Sequence, residues 1–298
     1  MGKMKKYFNW LLIIILIVSL AGCSKKGGTI KIATKPMTEQ FILGEMISLL
    51  IEENTDIDVE ITKGVGGGTS NIHPALVKGD FDLYPEYTGT AWSFVLKEEG
   101  IPDDETLYKE LTKKYDSEYG LKWVGLYGFN NTYSLVVRKD IAEKYNIKTY
   151  SDLSAYSSEL KFGAEYDFYE REDGYDALCK TYDFKFKSAS DMDIGLKYQA
   201  INSKEIDVMT IFTTDGQLTD SDVVVLKDDK NYYQTYYSGT VVRTDTLEKY
   251  PELEDVLMKL DNVIVDSEMS KLNYEVENNG RDESEVAKEF LLSKGLSK

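Results

Sequence analysis

Apolar and polar positions alternate along residues 29–298 in short blocks that read in turn as strands and helices. Thr29–Ala33 reads as a buried strand, and Asp58–Thr62 alternates with the period of two that a half-buried strand requires. Between them Thr38 stands where a helix N-cap belongs, and Phe41, Ile42, Met46 and Leu49 form an apolar stripe at helical spacing. The glycine run at 64–70 (GVGGGTS) opens a second helix through Ala75 and Leu76. A short strand at 81–84 then ends in the dense segment Tyr84-Pro85-Glu86-Tyr87-Thr88-Gly89-Thr90. The pattern predicts helices over 104–116, 174–182 and 193–202, and strands near 123–126, 132–138, Lys161–Ala164, 207–212, 223–226 and 240–243. The tail reads as helices over 251–260, 267–274 and 283–294, the last closed by Gly295 as a C-terminal cap.

This alternation predicts an α/β fold with largely parallel sheets covered on both faces. Residues 29–298 contain no repeat, low-complexity run or Pro/Gly-rich linker. Two lobes in such a chain must therefore be joined by strands that cross between them, which is a hinge.

The first segment reads as an address. Lys3, Lys5 and Lys6 precede a nearly unbroken apolar run over 10–20, too short for a spanning helix of ~20 residues. Leu20-Ala21-Gly22-Cys23 follows, resembling a bacterial lipobox in which Cys23 becomes the lipidated first residue of the mature chain. The other reading is an ordinary signal anchor with a chance cysteine. A signal peptide over 1–22 and a tether over 23–28 place the body on the extracytoplasmic face of the membrane, in a bacterial and specifically Gram-positive setting.

Charge and composition narrow the function. The chain of 298 residues has 35 Lys+Arg and 52 Asp+Glu, a formal charge of −17, which disfavours nucleic acid as a partner. Removing residues 1–22 takes away three lysines and no acid, moving the charge from −17 to −20. One histidine, His73, and two cysteines, Cys23 and Cys179, are too few for a zinc or iron–sulfur site and supply no nucleophile–base triad. With Cys23 spent on lipid, Cys179 has no disulfide partner and reads as a small buried hydrophobe. No catalytic residue, metal or cofactor is expected.

The glycine run sits where a phosphate loop would, but it lacks the lysine and hydroxyl residue of a nucleotide loop. A tight turn or anion-accepting loop is the expected role. Carboxylates such as Asp80, Asp82, Glu86, Glu165, Asp167, Glu170, Glu172 and Asp173 could in principle hydrolyse a glycoside, though solvated surface is their ordinary fate. The 22 tyrosines against 11 phenylalanines are more specific. Tyr84 and Tyr87, Tyr133, Phe212, and the group Tyr232, Tyr233, Tyr236 and Tyr237 fall at strand ends or in the loop before Gly239. Open α/β folds bind ligands at strand ends, and aromatic faces there suit a quaternary ammonium.

The segments Thr38-Glu39-Gln40, Gly66-Gly67-Gly68-Thr69-Ser70, DLYPEYTGT at 82–90 and GFNNTY at 128–133 carry a family resemblance. Asp173-Gly174-Tyr175, Thr214-Asp215-Gly216 and Lys271-Leu272-Asn273-Tyr274 continue it, in order, across about residues 29–295. The chain resembles the substrate-binding lipoproteins of glycine betaine/carnitine/choline ABC transporters. The resemblance implies a two-lobed periplasmic-binding-protein fold with a hinge and an interlobe cleft, lobe I being 29–128 with 230–298 and lobe II 129–229. It implies an aromatic cage of Tyr87, Tyr133, Phe212 and Tyr236, with Tyr237 a rival for the fourth position and Phe212 replacing a frequent tyrosine. Gln40 and Thr90 match positions that contact the other end of the ligand. The implied partners are the permease and its ATPase. Ergothioneine, another trimethylammonium, would use the same cage with a longer pocket; a surface hydrolase is the alternative from another class.

Overall fold

Two five-stranded sheets organise the chain, each with its own core. The computed structural model describes residues 27–297, apart from 99, 101, 166–167, 170–173, 193 and 234. The leader at 1–22, Cys23, most of the proposed tether, Asp167, Glu170, Glu172 and Asp173 lie outside the described residues. Among those described, no helix is long and apolar enough to cross a membrane.

The first sheet has the order β2-β1-β3-β10-β4, from β1 (Thr29–Ala33), β2 (Asp58–Thr62), β3 (Leu83–Tyr87), β4 (Leu121–Asn130) and β10 (Tyr237–Arg243). The second has the order β7-β6-β8-β5-β9, from β5 (Tyr133–Arg138), β6 (Lys161–Ala164), β7 (Ser188–Asp191), β8 (Val208–Phe212) and β9 (Val223–Val225). The chain passes from the first sheet to the second through Asn131 and Thr132, and returns through residues 226–236.

The sheets are mixed rather than largely parallel. β1 runs parallel to β2 and β3, and β6 runs parallel to β7 and β8. β10 is antiparallel to both β3 and β4, and β5 is antiparallel to both β8 and β9. The departure comes from the crossings, since β10 and β5 each enter a sheet from the other lobe instead of through a covering helix.

Both faces of each sheet are covered, as the near-continuous apolar strands require. Val241 and Val242 are adjacent on β10 and enter different cores, as Val136 and Val137 do on β5. Against the first sheet pack α1 (Thr38–Asn54), α2 (Thr69–Lys78) and α3 (Asp104–Tyr119). The second sheet carries α4 (Lys139–Tyr145), α5 (Tyr150–Ser154), α6 (Tyr175–Tyr182) and α7 (Ile194–Asn202). The tail forms α8 (Thr244–Lys249), α9 (Glu252–Leu257), α10 (Asp266–Glu277) and α11 (Glu283–Ser293), and Gly295 follows with φ +71°.

Local differences from the sequence pattern have physical causes. Met37, extended, is the N-cap of α1, and Thr38 is its first helical residue. The buried face of α1 runs through Ile42, Leu43, Met46, Ile47, Leu50 and Ile51, leaving Phe41 and Leu49 half-buried. β3 continues through Pro85 to Tyr87; it meets β1 only at Leu83, so beyond that point one edge carries no ladder to β1. β10 starts at Tyr237, three residues earlier than the apolar pattern suggests. β7 (SASD) is exposed along its whole length and carries no apolar signal.

Candidate functional site

β3 delivers the first set of groups. Tyr87 ends that strand, and a helical turn at Thr88–Thr90 follows, running into a π-helix at Ala91–Val95. Tyr87 is 6% exposed, and its hydroxyl donates to Glu39 Oε1 at 2.5 Å. The Lys35 ammonium lies over the Tyr87 ring, 4.7 Å from its centroid. Burial, with Glu39 beside it, holds the phenol pKa well above its ordinary value, so Tyr87 stays a donor at physiological pH.

Behind Tyr87, Glu86 is fully buried and held by the Lys35 ammonium, the Thr69 hydroxyl at 2.7 Å and the Tyr84 hydroxyl at 3.0 Å. The glycine run explains how Thr69 arrives there. Gly67 and Gly68 adopt positive φ, and Gly68 caps α2 so that Thr69 turns inward to the carboxylate. The run is a tight turn feeding a buried ion pair. Buried ammonium and carboxylate groups of this kind are tolerable only when hydrogen-bonded together.

The second sheet delivers an aromatic pair. Antiparallel register sets Tyr133 of β5 opposite Phe212 of β8, with ring centroids 4.5 Å apart and planes inclined by 38°. Tyr233 adds a third ring, 5.9 Å from Tyr133. Its loop is fixed by Asp228, which accepts from the Tyr233 N–H at 2.8 Å and from the Tyr182 hydroxyl.

The two crossings are tied to each other. The Tyr236 N–H donates to Asn130 Oδ1 at 2.7 Å, and the Asn131 N–H donates to the Tyr236 carbonyl at 3.1 Å. Asn131 Nδ2 then donates to Glu39 Oε1 at 3.0 Å, joining the crossing to α1. Asn273 of α10 donates to Glu39 Oε2 at 3.4 Å and to the Thr214 carbonyl at 2.8 Å.

Two cavities open where these elements meet. The larger, of about 720 Å³, is lined by Asn130, Tyr133, Tyr232, Tyr233 and Tyr237, with Asp104 among the residues of its rim. The smaller, of about 210 Å³, is lined by Glu39, Asn131, Phe212, Thr214 and Asn273. The ring pair faces both, Tyr133 toward the larger and Phe212 toward the smaller.

The structure thus brings Tyr133, Phe212 and Tyr237 to the cavities and sets Tyr87 beside Glu39. Tyr236 is half-buried against the first-sheet core and close to Gly89, where an added Cβ would come within 2.7 Å of its ring. Thr90 is half-buried in the turn after Tyr87. Gln40 is fully buried; its Oε1 accepts from the Lys35 N–H at 3.4 Å, and it lines neither cavity. Glu39 and Asn131 had no role assigned from sequence, and Tyr233 stood only as one of the group of tyrosines before Gly239. Glu39 could have been noticed, because it shares a helical face with Ile42, Leu43 and Met46 and an acid there is out of place. Among the described residues no His, Cys, Asp and Glu groups cluster as metal ligands.

Comparison with known proteins gives the family of the chain. Residues 28–293 match the family model for the substrate binding domain of ABC-type glycine betaine transport systems. The chain belongs to that family. Over 299 residues, 97% of each chain, it is 38% identical to a carnitine transport binding protein of Listeria monocytogenes. Over 265 residues it is 49% identical to an ergothioneine transport permease/ergothioneine binding protein of Helicobacter pylori. That match covers 89% of this chain but 47% of the relative, so the chain spans about half of that protein's length. A crystal structure described as a glycine betaine/carnitine/choline ABC transporter superposes with a TM-score of 0.86 at 33% identity, covering 90% of this chain and 98% of the other. The two-lobed binding-protein fold follows, and these relatives are transport binding proteins rather than enzymes.

Proposed function

We propose that the chain is the extracytoplasmic solute-binding component of an ABC importer for quaternary ammonium compatible solutes: glycine betaine, carnitine and choline. Residues 29–128 with 230–298 and residues 129–229 would act as the two lobes, closing about the paired crossings. Tyr87, Tyr133, Phe212 and Tyr236 would supply the cage, with Tyr237 as rival to Tyr236 and Tyr233 as a further ring. Gln40 and Thr90 would serve the opposite end of the ligand. A lipid on Cys23 would hold the body near its permease and ATPase, and no catalysis is assigned.

The observation that carries this reading is the Tyr133–Phe212 ring pair, set by strand register between two cavities at the crossings. A desolvated cation–π contact is worth about 2 kcal/mol, and micromolar affinity needs roughly −8 kcal/mol, so several rings and a few hydrogen bonds suffice. Water exclusion by lobe closure would strengthen each contact.

A second reading, ergothioneine as solute, is favoured by the 49% identity to the Helicobacter pylori protein and by a larger cavity of about 720 Å³. Calorimetric titration with glycine betaine, carnitine, choline and ergothioneine decides between them. Saturable binding of any of the four supports a quaternary ammonium site and ranks the solutes; binding of none rejects it.

A further inference from the structure

Glu39 is 3% exposed, yet no cationic side chain among the described residues pairs with it. Its hydrogen-bond partners are the Tyr87 and Thr214 hydroxyls and the side-chain amides of Asn131 and Asn273, all neutral donors. Lys35, which lies over the same Tyr87 ring, gives its amine to Glu86 instead. From the other elements packed here, the charged groups are Asp215 and Glu277, which line the same small cavity. Asp215 is itself held by the Phe212 N–H at 3.1 Å and the Tyr198 hydroxyl at 3.0 Å, and the Lys197 ammonium of α7, which is paired with Glu165, acts on it from behind. An ionised carboxylate withdrawn from water, with acids rather than bases across the cavity, lacks a countercharge. Burial accordingly holds the Glu39 pKa above that of an ordinary glutamate, despite its hydrogen bonds.

We infer that Glu39 is a specificity-determining residue that supplies the countercharge to the ligand's quaternary ammonium. The inference rests on the quaternary ammonium reading above. The rings recognise a methylated, weakly hydrated head; an uncharged tert-butyl group of the same shape would also fill them. Glu39 adds discrimination by charge, and it does so from the cavity that Phe212 also lines. Since a bound cation favours the ionised carboxylate, a proton on Glu39 and the ligand compete. Affinity must fall as pH falls through the Glu39 titration, and ligand binding must release a proton in that range.

The test uses wild type and Glu39→Gln. The quaternary ammonium bound most tightly by wild type is titrated from about pH 8 to about pH 5, beside choline and its uncharged isostere 3,3-dimethylbutan-1-ol. The expected result at about pH 8 is a loss of about tenfold or more in Glu39→Gln, as for a partly buried ion pair. Wild-type affinity should decline on acidification toward the value of the variant, whose own profile should be shallower because Asp215 remains beside the cavity. Where choline binds, Glu39→Gln should also lose preference for it over the isostere. Tyr87→Phe, which removes the hydroxyl and keeps the carboxylate, should still lose affinity on acidification, with the decline displaced toward higher pH because the lost hydrogen bond favoured the ionised Glu39; that separates countercharge from mere positioning of the ring. Glu39→Gln binding within twofold of wild type at about pH 8, or sharing its pH slope, overturns the inference while leaving the quaternary ammonium site standing. Wild type binding none of the four solutes overturns that site and the inference together.

Discussion

Tyr133 and Phe212 face each other across adjacent antiparallel strands, their ring centroids 4.5 Å apart. Each reaches its place from a different stretch of chain, Tyr133 just after one crossing and Phe212 at the end of β8. Both strands belong to the second sheet, so strand register within that sheet sets the pair.

Removing one ring of the pair should abolish most binding without unfolding the protein. For Tyr133→Ala we expect a loss of about thirtyfold or more in affinity for a quaternary ammonium solute, the equivalent of one desolvated cation–π contact. Tyr87→Ala should behave alike. Calorimetry reads the affinity, and far-ultraviolet circular dichroism checks the fold. Wild-type affinity in both variants would reject the cage.

Tyr233 and Tyr236 should separate by the quantity they change. Tyr233 lines the larger cavity near Tyr133, whereas Tyr236 packs against the first-sheet core and Gly89. Tyr233→Ala should therefore lower affinity more than melting temperature. Tyr236→Ala should lower affinity, as the loss of a cage ring, and also melting temperature by several degrees, in keeping with a truncated, partly buried aromatic. Unchanged affinity in Tyr236→Ala would remove Tyr236 from the cage.

Gly216→Ala should destabilise. A Cβ there would lie 2.8 Å from the Tyr274 backbone nitrogen and 3.0 Å from its Cα, so α10 itself would have to move. Ser270 donates to the Asp215 carbonyl and Asn273 to that of Thr214, so the displacement would break the junction of the TDG and KLNY segments. A cost of about 1–3 kcal/mol is expected from overpacking, measured by urea unfolding.

Glu39 and Asp215 both have carboxyl pKa values raised chiefly by burial. A raised carboxyl pKa in the folded state favours folding while the group is protonated, and that contribution is lost as pH rises through the folded value. Ligand-free Glu39→Gln should thus melt higher than wild type near pH 8, and the gap should close as pH falls toward the range where Glu39 takes up a proton. A gap that is constant with pH would show that Glu39 does not titrate there. Differential scanning fluorimetry across pH provides the measurement.

Cys179 should react slowly with alkylating reagents at neutral pH. Burial pushes its thiol up to about 11, so little thiolate is present. Labelling by iodoacetamide should accelerate as pH rises from about 7.5 to about 9.5 and on unfolding. Rapid labelling of the native protein at neutral pH would contradict this.

The sequence by itself determined the alternation of strands and helices, the absence of a linker, and the family. The first two follow from local patterning, since strands buried on both faces must be apolar throughout and helices must show a stripe. The family follows from ordered motifs, each long enough to be specific. Tertiary structure decided what local patterning cannot carry. Whether β10 and β5 run parallel or antiparallel depends on how the chain returns across the hinge. Which of Tyr233, Tyr236 and Tyr237 faces a cavity depends on where β10 begins and on Asp228 holding the preceding loop. Glu39 was visible as a misplaced acid on an apolar helix face. Its neutral partners come from residues 87, 131, 214 and 273, and only the folded chain brings four such distant positions to one carboxylate.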